Sequence, residues 1–146
     1  MGSYVPLGKL VGALPSGRLG GEPLCDGHSP GRGHDLNGPT AVLRSMGKVD
    51  SIEIAGGIIL NMRLDPAIAY DKDGVKRMAD VMRAFIDEKI FHVQFNLVSS
   101  DTLRDAQKAP EKHRDLVVRV AGYNAFFTRL PRALQDTIIT RTVHGL

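Results

Sequence analysis

Arg119-Val120-Ala121-Gly122-Tyr123 is preceded by Leu116-Val117-Val118 and followed by Asn124-Ala125-Phe126-Phe127. A run of β-branched residues and leucine reads as a buried strand, and this one delivers a single glycine between bulky neighbours at its end. Gly122 is the residue to explain. Lacking a Cβ, it takes backbone conformations closed to other residues and lets another backbone or a ligand come close. The simpler reading is a turn or bulge after the strand. The sharper one is chemical. Its α-carbon lies between an amide nitrogen and a carbonyl with no side chain to twist it, so it is free to flatten and share an unpaired electron with both.

Upstream, Phe91, Val93, Phe95 and Leu97 alternate with His92, Gln94 and Asn96, the pattern of a half-buried strand. Its polar face is either solvated or lines an interface. The strongest helix runs from about Asp73 to Lys89, where Val75, Met78, Ala79, Met82, Phe85 and Ile86 predict one apolar core face opposite Lys76, Arg77, Asp80 and Arg83. Ser100 reads as the cap of a helix from Asp101 to about Lys108, ended near Pro110, and a short turn from Pro110 to Arg114 leads into the Leu116 to Val120 strand. Gly57 to Met62 reads as a short strand closed by Pro66. Asn37 as N-cap and Pro39 in the first turn predict a helix from Thr40 to about Lys48, with Ala41, Val42 and Met46 on its apolar side. After the glycine loop, Pro131 starts a helix to about Thr142 with the stripe Leu134, Ile138 and Ile139. Residues 1–38 are dense in glycine and proline, have little to bury among themselves, and are expected to lie extended against something else.

A length of 146 residues suits one domain with a modest core. Hydrophobic content of 42% and charged content of 24% exclude a disordered or membrane-embedded composition. The formal charge is +3, with 19 Lys and Arg scattered among 16 Asp and Glu, which lacks the basic stripe of a nucleic-acid surface. No apolar run approaches the roughly 20 residues that span a bilayer. No signal peptide is expected, since the N-terminus lacks a charged start and an apolar core.

The single cysteine, Cys25, cannot form an internal disulfide and fits a reducing cytoplasm. With Asp26 beside it, Cys25 lacks the electropositive setting of a reactive thiolate and reads as a small semi-buried residue. His28 and His34 have no third ligand in register, so they read as loop histidines and no metal site is expected. Gly31-x-Gly33 has Leu36 in place of a third glycine and no strand before it, which rejects a dinucleotide-binding loop.

Arg119 to Tyr123, followed by two aromatics and an Asp-bearing amphipathic helix, resembles the C-terminal signature of the glycyl radical enzymes, the family of pyruvate formate-lyase and the glycerol and choline lyases. The likeness extends to His92-Val93-Gln94-Phe95-Asn96, Thr102 to Gln107 and Arg114 to Val120, which resemble that family's approach to its radical loop. Asp26-Gly27-His28-Ser29-Pro30 and Asn37-Gly38-Pro39-Thr40-Ala41 resemble its preceding segment, so the match runs from about Pro23 onward.

The resemblance implies a mixed α/β (α+β) fold with a few strands and about four helices, completing the barrel of a partner. On that view 1–38 is a partner-contacting segment and 39–146 the glycine radical domain. It implies that Gly122 carries a backbone radical, with Arg119, Val120, Ala121 and Tyr123 supporting the loop. No cofactor would be bound. The radical would be installed by a radical S-adenosylmethionine activating enzyme with an iron–sulfur cluster, and passed to a cysteine of a large catalytic subunit that also carries a glutamate. Cys25 and its neighbours do not resemble that cysteine loop, so the chain is not expected to turn over substrate alone. Beside this radical-bearing subunit of a cytoplasmic lyase or dehydratase stand a spare part that rescues an oxygen-damaged enzyme, a non-catalytic stabilising tail, and a fragment of a longer enzyme. Asn124 stands where many members of the family carry serine.

Overall fold

The computed structural model describes residues 3–146, so the first two positions of the 1–38 segment lie outside it. In chain order the elements are α1 (Tyr4–Gly8), α2 (Pro39–Met46), β1 (Leu60–Leu64), α3 (Gly74–Asp87), β2 (Val93–Leu97), α4 (Ser100–Lys108), β3 (Val117–Arg119), β4 (Asn124–Phe126), α5 (Arg132–Ile139) and β5 (Val143–His144). Short 3-10 turns cover Pro66–Ala69, Pro110–Lys112 and Phe127–Arg129. This is a mixed α/β fold with two open sheets.

The central strand is β1, which pairs in parallel with β2 along one edge and with β5 along the other. Register decides what each face of the sheet carries. Asn61 lies beside Gln94 and Arg63 beside Asn96, while Leu60 lies beside Val93 and Met62 beside Phe95. Side chains alternate along a strand, so one face is polar and the other apolar. The apolar face packs with Val42, Leu43, Val81 and Ile90, drawn from α2, α3 and the turn after α3. Leu43, Leu60 and Leu64 are almost wholly buried there, each contributing about 1.5–3 kcal/mol.

Two crossovers explain the layering. The connection from β1 through α3 to β2 moves one way across the sheet, and the connection from β2 back to β5 moves the other way. Right-handed crossovers then fall on opposite faces. The second carries α4, the antiparallel β3–β4 hairpin and α5, and it builds a second core from Leu103, Ala106, Val118, Val120, Phe127 and Ile138. The polar face of the sheet therefore looks at the hairpin.

Several sequence-based expectations are corrected. The glycine strand is Val117–Arg119 alone, and Val117 is half-exposed, because it pairs only with β4 in a two-stranded ribbon. The strand expected from Gly57 starts at Leu60 and takes in Arg63, and Pro66 opens a 3-10 turn. Gly38, not Asn37, is the N-cap of α2, which stops at Met46 and buries Leu43 completely. On α3 the buried residues are Gly74 and Val81, whereas Val75, Ala79, Met82 and Ile86 are exposed. Ser99 caps α4 by accepting the Thr102 N–H at 3.0 Å, and Ser100 is its first residue. Helix α5 ends at Ile139, and the chain goes on into β5.

The 1–38 segment is less extended than expected. It forms α1, which places Val5 in the second core, and Tyr4 Oη lies 3.2 Å from Thr137 Oγ1. Further along, Ser29 Oγ accepts the Asn61 N–H at 2.9 Å, and the Asp35 carboxylate bonds Thr142 and His144. These tethers are polar, and a cavity of about 550 Å³ stays open between the segment and the sheet, lined in part by Arg18, Asp35 and Asn61. Cys25 is exposed, not semi-buried. Among the described residues, no helix is long and apolar enough to cross a membrane.

Candidate functional site

Gly122 lies at the exposed tip of the β3–β4 hairpin with φ +81°. The Val120 N–H donates to the Tyr123 carbonyl at 3.0 Å, which closes a tight loop around Ala121 and Gly122. Such loops need a left-handed residue, and glycine supplies it without steric cost. A Cβ at this position would also come within 3.2 Å of Ile59 Cδ1. Ile59 thus forms a floor under the loop tip.

Around the tip, Val120 is fully buried, and Ala121 and Tyr123 are half-buried, with Tyr123 packed against the second core. Arg119 ends β3, and its Nη1 donates to Asn124 Oδ1 at 3.0 Å across the hairpin. All of these are neighbours in sequence. The residues that hold the loop from outside come from elsewhere in the chain.

Strand β2 supplies the first of them. The Asn96 amide donates to the Arg119 carbonyl at 2.8 Å and accepts the Arg119 N–H at 2.7 Å, so one side chain satisfies both backbone groups of that residue. Gln94 Oε1 accepts the Gly122 N–H at 3.2 Å, and Gln94 Nε2 lies 3.3 Å from His92 Nε2. Gln94 and Asn96 are buried, while Leu97 on the apolar side of the strand is exposed. The polar face of this strand is accordingly an internal interface. Burying an amide is tolerable only when its polar atoms are bonded, and here the hairpin backbone provides the partners.

A second clasp reaches the loop from the far end of α5. Arg141 Nη2 donates to the Val120 carbonyl at 2.9 Å and also bonds the Asp26 carboxylate, which accepts from Asn61 Nδ2 at 3.0 Å. Burial pushes the Asp26 carboxyl above its ordinary range, and the nearby Arg141, Asn61 and Arg32 offset part of that rise. Arg63 anchors the same layer at 1% exposure. It donates to the carbonyls of Val98, Ile138, Ile139 and Arg141 and to Ser100 Oγ, at 2.8 to 3.3 Å. Its charge sits at the C-terminal end of α5, where unpaired carbonyls and the helix dipole favour a cation. Burial, with Arg104 and Arg141 as like charges, lowers its pKa to about 10, so it stays protonated near neutrality.

Sequence reasoning singled out Gly122 and its immediate neighbours and did not mark Ile59, Arg63 and Arg141, which the fold brings to the same layer. The alternation around Gln94 was the one signal pointing to the external clasp. His28 is not near a metal-ligand set; both its ring nitrogens are buried without a hydrogen-bond partner, and burial lowers its pKa. Among the described residues, no three His, Cys, Asp or Glu side chains group as metal ligands.

The site is thus a glycine in the left-handed region, presented on a hairpin whose peptide groups are held by amides and a guanidinium. That describes an α/β domain in which one hairpin tip is fixed through its backbone. The chain belongs to the glycine radical family, whose model matches residues 24–128. It is 47% identical over 143 residues to the probable dehydratase YbiW of Escherichia coli, covering 97% of this chain and 18% of that protein. It is 45% identical to isethionate sulfite-lyase of Oleidesulfovibrio alaskensis, over 97% of this chain and 17% of that one. Its structure superposes on the B12-independent glycerol dehydratase of Clostridium butyricum with a TM-score of 0.94 at 43% identity, covering 98% of this chain and 18% of that chain. The chain therefore spans less than a fifth of the length of these relatives.

Proposed function

We propose that this chain is the radical-bearing component of an anaerobic lyase or dehydratase, with Gly122 as the radical residue and Arg119, Val120, Ala121 and Tyr123 as its supporting loop. The observation that carries the reading is the setting of Gly122, exposed at φ +81° and bonded through its own N–H to a buried amide. Relatives named as dehydratases and a sulfite-lyase support the reaction class.

In the activation step, one hydrogen atom leaves the Gly122 α-carbon and goes to a carbon-centred adenosyl radical. That radical comes from S-adenosylmethionine on a separate iron–sulfur activating enzyme, which supplies the electron that cleaves it. In turnover, the α-carbon takes a hydrogen atom from a cysteine thiol of a large catalytic subunit. A C–H bond forms as the S–H bond breaks, and the thiyl radical left behind attacks substrate beside a glutamate of that subunit. This chain contributes geometry, because radical transfer depends on close and well-aligned atoms. It binds no cofactor of its own and catalyses nothing alone.

We assign the complex to the cytoplasm, with residues 1–38 as the partner-contacting segment and 39–146 as the radical domain. Leu10, Leu19 and Leu36 are 83%, 65% and 77% exposed and give that segment an apolar outer side for a partner to cover. The test is to activate the chain anaerobically with its activating enzyme and large subunit and record the electron paramagnetic resonance spectrum. A doublet organic radical lost in Gly122→Ala is expected. A silent wild-type sample, or turnover by the isolated chain, overturns the proposal.

A further inference from the structure

We propose that Gln94 is a positioning residue for the radical: its amide holds the Gly122 N–H and fixes the peptide plane over which the unpaired electron spreads. This rests on Gly122 as the radical residue. Asn96 and Arg141 clasp Arg119 and Val120, ahead of the reacting residue. Gln94 bonds the reacting residue itself, through a nitrogen that shares the spin.

The geometry leaves this amide one useful orientation. Oε1 is committed to the Gly122 N–H, which leaves Nε2 as the donor toward His92. His92 Nε2 stands opposite that donor and accepts from it in the tautomer that carries the proton on Nδ1. A flipped Gln94 would set two donors against each other at the loop tip. At 4% exposure, Gln94 has little water available to compensate for such a flip. The Gly122 N–H therefore selects the rotamer, and the rotamer turns Nε2 toward His92.

The effect on the radical follows from overlap. A flattened α-carbon shares spin with the adjacent nitrogen only as far as the peptide plane lines up with its half-filled orbital. An acceptor on the N–H restrains rotation of that plane and makes the nitrogen a better donor. Removing the acceptor should change the spin distribution, whereas a merely structural contact would change only stability.

The test uses the anaerobically activated complex with wild-type, Gln94→Met and Gln94→Glu chains. Gln94→Met fills the same space without an acceptor, and a radical at Gly122 with altered α-proton and nitrogen hyperfine splitting is expected. Gln94→Glu keeps an acceptor and should restore the wild-type spectrum. An unchanged spectrum in Gln94→Met overturns the role of Gln94 while leaving Gly122 as the radical site. Absence of any radical in the wild type overturns both. A measurement on the unactivated full chain covers the case in which Gln94→Met does not fold. Amide hydrogen exchange at Gly122 should be slower in wild type than in an unstructured peptide by about two- to tenfold, the equivalent of one neutral hydrogen bond. Exchange at the peptide rate overturns the proposal.

Discussion

Strand β2 buries Gln94 and Asn96 at 4% and 6% exposure, while α3, on the opposite face of the sheet, leaves Val75, Met82 and Ile86 at 82%, 37% and 65%. One element hides its amides and the other displays its hydrocarbon. The amides are hidden because the hairpin backbone presents N–H and C=O groups that only polar side chains satisfy. The hydrocarbon is displayed because α3 carries two apolar stripes and the sheet covers one. Burial in this chain follows what each face has to hold, and polarity alone does not predict it.

The comparison breaks most readily at Arg63. Replacing it with leucine removes a buried cation from several carbonyls, and urea unfolding should show a loss of about 3–5 kcal/mol. A loss below about 1 kcal/mol, the worth of a single ordinary hydrogen bond, would mean that the polar layer is not structural. Asn96→Leu comes next. It strands both backbone groups of Arg119, and a cost of about 2 kcal/mol is expected in the same measurement. Gly122→Ala follows at about 1–2 kcal/mol, since an alanine at left-handed φ is strained. The folded signal by circular dichroism should survive, which keeps that variant usable as a radical-free control. The smallest effect belongs to α3. Ile86→Lys should change stability by no more than about 0.5 kcal/mol, as for other surface sites, while Val81→Ala on the buried stripe should cost clearly more. A large loss in Ile86→Lys would mean that the displayed stripe is part of the core.

The same contrast explains what could be read in advance. Gly122 and its loop were legible because the signal is local: one glycine after a β-branched run. The existence of α3 was legible from periodicity, as was the alternation of β2, and that of α4 from a serine cap and a closing proline. The phase of α3 was not. Val75, Ala79, Met82 and Ile86 form one helical stripe and Met78, Val81 and Phe85 another, and nothing in the spacing says which one meets a sheet. Nor could the pattern of β2 tell that its amides point inward, because their partners, Gly122 and Arg119, arrive after an intervening helix. Strand β1 was placed too early because Arg63 looks unlike a core residue, and the apolar Ile58 and Ile59 drew the expected strand toward themselves. Strand β5 is two residues long and exists only through its pairing with β1.

Ile59 joins two distant parts of the chain. Its carbonyl accepts the His28 N–H at 2.8 Å, and a Cβ on Gly27 would stand 2.4 Å from that same oxygen. Its other end is the methyl beneath position 122. The residue thus touches the leading segment with its backbone and lies under the hairpin with its side chain. A bulkier residue at 27 would meet the Ile59 carbonyl, so that position and the loop tip share one neighbour.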